Sequence, residues 1–364
     1  MSEMTPKTPE APTSGATEGA GEAPLGRLEP LLLRPGAAYT CFGDGLCCAD
    51  MHVIGPVSSK ERQRLALLSD EAVRWAEHAE CHVLVMRADT GTCFFNGEDG
   101  LCAIHEPMDG MLKPRVCHRF PFVLTGTPEG GRVSLEHRCS CQTFGAPGPL
   151  DEATAERALR GEAGGLRPNH RVGDAVPLRE GETVSFAAYR AIEEPLLARL
   201  EAGEDPRAVL DRAPFPALSE GSWGGFGEAM LDAAGETRFE MALRAVGAVI
   251  VAREGGEPEA WGRPWTPAFD RAEARVAEPI DPGPAYARWA VDAIWSLMWT
   301  GYGTLEKVRR ELCTRLAIAD DLRDALVEQG VRGDRAAAEA LTVVDLVGTS
   351  DWWEGAVKRM AETD

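Results

Sequence analysis

The chain has 364 residues, 44% of them hydrophobic, which is enough length and apolar content for two domains with their own cores. A formal net charge of -20 excludes a nucleic-acid or anionic-membrane partner held by charge alone. No apolar run reaches about 18 residues, and the nearest, 290–299, contains Asp292 and reads as a buried helix, not a membrane span.

Residues 1–28, dominated by Pro, Gly, Thr and Glu, read as a disordered tail. They lack the basic and apolar regions of a secretory leader, which predicts a cytoplasmic protein whose thiols stay reduced. Residues 29–145 hold the cysteines among glycines and short apolar stretches, and read as a small irregular domain organised by a bound metal. Within it, Ser58 or Ser59 caps an amphipathic segment reaching Ala79, with Leu65, Leu68, Val73 and Trp75 as its apolar positions. Residues 146–182 read as a linker with one short helix over 151–161.

From residue 183 to 364 the pattern predicts an all-α domain. Thr183–Glu201 carries Phe186, Tyr189, Ile192, Leu196 and Leu200 at helical spacing, with Pro195 expected to kink or divide it. Asp205-Pro206 is an N-cap followed by proline at the first helical position, opening a segment to Arg212. Further helices are expected at 227–252, 285–299, 304–318, 320–328 and 335–347. The predicted fold class is mainly α: an irregular cysteine-rich domain followed by a helical one.

Nine of the ten cysteines lie between Cys41 and Cys141, as Cys41-x5-Cys47-Cys48, Cys93-x8-Cys102-x14-Cys117 and Cys139-x-Cys141, with Cys81 between the first two groups. Thiols this dense are disulfides, metal ligands or reactive groups, and a reducing compartment favours metal. Thiolate sulfur suits zinc, which takes four ligands, and iron–sulfur clusters, which also take four cysteines. The candidates are Cys41, Cys47, Cys48, Cys93, Cys102, Cys117 and Cys139, one short of two all-cysteine sites, which Cys141 or a histidine would complete. Cys47 and Cys48 are adjacent, so one ligates while the other packs, or each serves its own centre. Arg115, His118, Arg119, His137 and Arg138 beside these positions would offset the negative charge of a thiolate centre.

The runs Gly91-Thr92-Cys93-Phe94-Phe95, Gly100-Leu101-Cys102-Ala103-Ile104-His105 and Lys113-Pro114-Arg115-Val116-Cys117-His118-Arg119-Phe120-Pro121-Phe122, with Cys41–Cys48 before them, resemble the YkgJ-type cysteine-cluster family over about residues 38–145. That family is described as a zinc- or iron-chelating domain and includes the flagellin lysine N-methylases. The resemblance implies Cys41, Cys47, Cys48, Cys93, Cys102 and Cys117 as metal ligands, with Cys139 matching a later cysteine of longer members. It also implies S-adenosylmethionine as a cofactor and a protein substrate as partner. One departure stands out: Phe42-Gly43-Asp44-Gly45-Leu46 lies where the family places a further cysteine, and Asp44 reads as an oxygen donor or a turn residue.

The chain therefore reads as an iron–sulfur or zinc protein, with lysine methylation as the enzymatic version. A metal-stapled interaction module and a redox or metal-handling protein are the alternatives. Cys81 beside His82 is a ligand pair or a structural thiol, while Cys313, His52 and His105 read as packed. Gly221–Gly227 lacks the strand and the Lys-Ser/Thr ending of a phosphate-binding loop. Trp289, Trp295 and Trp299 read as core, and Trp352-Trp353 as a dock for the last helix.

Overall fold

A computed structural model describes residues 26–105, 112–160, 164–233, 235–257, 259–276 and 278–362. Two runs, Phe122-Val-Leu-Thr-Gly126 and Gly131-Arg-Val-Ser-Leu135, flank the turn residues 127–130 and pair antiparallel, Phe122 opposite Leu135 and Gly126 opposite Gly131. They form strands β4 and β5 of a four-stranded sheet, order β1-β5-β4-β6. Strand β1 (Leu31–Leu33) runs parallel to β5, and β6 (His170–Arg171) parallel to β4. Alternation along a strand sends Phe122, Leu124, Val133 and Leu135 to one face, where α4 (Glu152–Leu159) covers them with Ala155, Ala158 and Leu159. The other face carries Thr125 and Arg132 against helix α10 (Gly283–Trp295), where the Thr125 hydroxyl donates to the Ser296 carbonyl at 2.6 Å and Trp295 Nε1 to the Val133 carbonyl at 3.0 Å.

Two further hairpins, β2 with β3 (Val73–Ala76, Cys81–Leu84) and β7 with β8 (Ala175–Arg179, Glu182–Ser185), complete the strands. The remaining helices are α1 (Ser59–Ala66), α2 (Arg115–Arg119), α3 (Ser140–Thr143), α5 (Phe186–Glu201), α6 (Pro206–Leu210), α7 (Trp223–Ala233), α8 (Arg238–Arg253), α9 (Thr266–Glu273), α11 (Leu305–Glu328), α12 (Gly333–Gly348) and α13 (Asp351–Arg359). With about 47% helix, 14% strand and three small sheets among the described residues, the chain has mixed α/β character. This corrects the expectation of a mainly α fold with an irregular cysteine region and a purely helical remainder. Strands of two to five residues give too few alternations for periodicity to reveal them.

The local expectations fare unevenly. Ser58 caps α1 in a capping box with Glu61, but the helix stops at Ala66, and Val73 and Trp75 belong to a strand. Asp151 and Asp205 cap α4 and α6 as their positions predict. Residue 161, the expected end of the first of these, lies outside the described residues, as does the expected tail up to residue 25. Pro195 neither ends nor divides α5, and the segments 304–318 and 320–328 form the single helix α11. The expected helix 227–252 is instead two, α7 and α8.

Glycine explains how α7 and α8 cross. A Cβ on Gly247 would sit 2.7 Å from the Gly227 carbonyl oxygen, and one on Gly227 would sit 3.0 Å from that of Gly247. Gly227, the last residue of the Gly221–Gly227 run, thus serves close helix packing. Gly247→Ala is expected to destabilise by about 1–3 kcal/mol, because a backbone atom cannot yield as a side chain would. Gly224→Ala, whose Cβ would meet only the Glu254 side chain at 3.5 Å, is expected to gain up to about 1 kcal/mol from helix propensity. Urea midpoints of the two variants check the contrast.

One core cluster draws Leu46, Met51 and Phe144 from the cysteine region together with Trp289, Trp299, Leu312 and Trp353 from the helices. Trp353 docks α13 by donating to Glu311 at 2.9 Å, and Cys313 is buried in the same core. Among the described residues no helix is long and apolar enough to cross a membrane.

Candidate metal centre

All ten cysteines are free thiols. Seven of them, with Cys141, fall into two adjoining patches. The first is built on the Gly43-Asp44-Gly45 turn, where both glycines have positive φ. Gly45 also has to be glycine for space, since a Cβ there would lie 2.8 Å from the Gly100 carbonyl oxygen. Asp44 is buried: one carboxylate oxygen accepts from the Leu46 N–H at 2.9 Å, and the other from the Ser140 hydroxyl. It is a turn residue, as one of its two readings held, and it also anchors α3. Cys139 occupies the N-cap of α3, and the Phe42 N–H points at Cys141 Sγ at 3.1 Å.

Cys141 Sγ also lies 3.8 Å from Asp44 Oδ2, and the Cys41, Cys139 and Cys141 thiols are close enough to shift one another's ionisation. Hydrogen bonding to Cys141 pushes the Cys41 thiol well above its ordinary range. The Cys141 contact pulls Cys139 down, but burial and the Asp44 charge outweigh it and leave Cys139 pushed up to about 11.

The second patch is a small apolar cluster in which Cys48, Cys93, Cys102 and Cys117 pack with Phe94, Phe95, Ile104 and Val116. The Cys93 N–H donates to the Cys48 carbonyl at 2.6 Å, and Asn96 pairs with Cys102 in an isolated bridge. Cys117 rides on α2, whose first N–H, from Arg115, donates to Glu61 Oε1 at 2.6 Å. Because Glu61 also closes the capping box of α1, one carboxylate fixes the starts of both helices. Burial pushes Cys93 up to about 11 and Cys117 higher still.

Cys47 lies between the patches. Its sulfur is 4.0 Å from that of Cys48, and its thiol is raised first by that hydrogen bond and then by burial. Its charge is felt by Cys139 on one side and by Cys93 and Cys117 on the other.

Among the described residues, however, no three Cys, His, Asp or Glu side chains are arranged as a ready-made metal site, and the cysteines do not form one clear cluster. This corrects the picture of a small domain organised around one preformed centre. The physical reason is that thiols raised above their ordinary range are neutral and pack as small apolar groups without sharing a focus. Cys81 stands apart in β3, where His82 stacks against Trp75, and His52 packs against the Phe120 ring. His105 Nδ1 lies 3.1 Å from Lys113 Nζ.

Sequence reasoning missed the charged seam between the sheet and the helices. Arg34 clamps Asp292 through two hydrogen bonds of 2.9 and 3.0 Å, and His137 Nε2 lies 2.9 Å from the same carboxylate. The His137 N–H donates to Asp345, which also accepts from Trp289 Nε1 at 2.8 Å. These partners are 56 to 258 residues apart in sequence, so no local signal announces them. Burial opposes ionisation of Asp292, but Arg34 and His137 outweigh it and hold its carboxyl down to about 2.

A carboxyl depressed in the folded state contributes stability above its unfolded pKa, and that contribution is lost as pH falls towards the folded value. Wild type is therefore expected to lose on the order of 2 kcal/mol between about pH 5 and pH 2 that Asp292→Asn does not lose. Urea unfolding of both chains across that range checks the difference.

No family model matches the chain, and no curated protein or solved structure matches it either.

Proposed function

We propose that the chain is a thiolate metal-binding protein, holding zinc or an iron–sulfur cluster through Cys41, Cys47, Cys48, Cys93, Cys102, Cys117 and Cys139. The observation that carries the reading is the approach of free thiols from separate loops into two adjoining patches with Cys47 in electrostatic reach of both. The donor chemistry fits a thiophilic ion. Cys41, Cys47, Cys93, Cys117 and Cys139 resist ionisation because of burial or a neighbouring sulfur, and a bound cation reverses that balance by stabilising the thiolates. Cys141, paired with Cys41 and Cys139, brings the first patch to four sulfurs with Cys47, while Cys48, Cys93, Cys102 and Cys117 make four in the second. When bound, the ion would supply folding energy, and an iron–sulfur cluster would add electron transfer.

The resemblance to the YkgJ-type family carries a finer proposal, transfer of a methyl group from S-adenosylmethionine to a lysine of a partner protein. It is tested by binding of that cofactor and by mass spectrometry for methyl-lysine. A reducing compartment such as the cytoplasm belongs to the same reading, since oxidation would consume the ligands.

Thiol reactivity tests the metal reading. In protein purified without oxygen, the seven cysteines should resist alkylation until a chelator is added, while Cys81 reacts at once. Equal labelling of all exposed and half-buried cysteines before and after chelation would sink the proposal.

A further inference from the structure

A cavity of about 260 Å³ opens beside the second patch, and its walls bring sulfur and positive charge together. Cys47, Cys48 and Cys117 line it together with Lys113, Arg119 and Arg138. Glu136 also borders the cavity, but it is committed to Arg138, whose Nε lies 2.9 Å from its carboxylate. Arg119 is different. Among the described residues its guanidinium donates to the Asn169 side-chain oxygen and forms no ion pair, and its buried Nε has no hydrogen-bond partner.

Such a concentration of cations is unexpected in a chain of net charge -20. Arg115 and Arg167 add like charge around Arg119, and Glu136 acts on it in the opposite direction. A half-buried arginine among like charges is costly unless something negative joins it. Glu136 is shared with Arg138, so the side chains lining the cavity carry more positive than negative charge.

We propose that this cavity is a binding site for a small oxyanion, a carboxylate or phosphate group carried by a small molecule, with Arg119 as the principal anchor and Lys113 as the flanking charge. Arg119 uses one of its guanidinium N–H groups on Asn169, and the planar fork suits two oxygens of one anionic group. A ligand seated there would lie against Cys47, Cys48 and Cys117, beside the thiolate centre if that centre is loaded. The inference stands on the basic cavity and does not require the metal.

Inorganic phosphate is the probe. Calorimetric titration of the full chain, with chloride matched for ionic strength, should show saturable phosphate binding, and Arg119→Gln should weaken it at least tenfold. Lys113→Gln should weaken it severalfold, and it supplies the test if Arg119→Gln fails to fold. Unchanged affinity in the variants, or heats that chloride reproduces, would overturn the site and leave the cations as counter-charges to the thiolates alone. Metal and sulfide measured on the same samples separate the two readings. Phosphate binding to metal-free protein supports the anion site whatever becomes of the metal, and a loaded protein that ignores phosphate overturns the anion site alone.

Discussion

Cys117→Ala is expected to release bound metal and to remove the cooperative unfolding of the cysteine region. Structural zinc contributes on the order of 10 kcal/mol to the folding of small cysteine sites, so losing one donor of four costs far more than the packing of one thiol. Cys117 is placed to matter because α2, which carries it, is fixed at its first turn by Glu61 and packs in the same cluster as Cys48, Cys93 and Cys102. Cys313→Ala is the control: Cys313 is buried where Cys117 is half-buried, but it lies in α11 among helix-core residues, and its loss should leave metal content unchanged. Metal analysis with thermal unfolding of both variants checks the contrast. Full metal content in Cys117→Ala, with only a small loss of stability, would remove this residue from the ligand set.

Glu193→Ala is expected to destabilise the fold by about 3–5 kcal/mol. Arg132 and Glu193 are both fully buried, joined by two hydrogen bonds of 2.7 and 2.8 Å, and the guanidinium lies 4.0 Å from the centre of the Trp295 ring. Tyr189 and Arg190 donate to the same carboxylate. Removing Glu193 leaves Arg132 charged between the sheet and α10 with no way back to water. The double variant Arg132→Met, Glu193→Leu should recover most of that loss, because it removes both charges and keeps the volume. Urea midpoints decide. A single variant as stable as wild type would mean the pair contributes nothing to holding α5 on the sheet.

The strongest local signals in the sequence survived into the structure. Ser58, Asp151 and Asp205 cap helices where their side chains and spacing place them, because a cap depends on residues within one turn. The β4–β5 hairpin carries a turn signal at Thr127-Pro128-Glu129-Gly130, but its strands are only five residues long and the first opens on the unbroken apolar run Phe122-Val123-Leu124, so no period of two marks it. The sheet itself was not legible: β1 and β5 are about 100 residues apart, and β6 is two residues long. At the candidate centre, the sequence offered candidate donors, but their division into two patches was not legible in it. That division depends on the Asp44 turn meeting α3 and on Phe94 and Phe95 packing around the second patch.

The most direct test of the central claim is the content of iron, zinc and acid-labile sulfide per chain, with a visible spectrum, on protein purified without oxygen. The thiolate reading predicts either about four irons and four sulfides with a band near 400 nm that bleaches on reduction, as a cubane held by four cysteines requires, or about one to two zincs and no sulfide. A colourless protein with neither metal nor sulfide, and with thiols that take up none when zinc or iron is supplied, would contradict it.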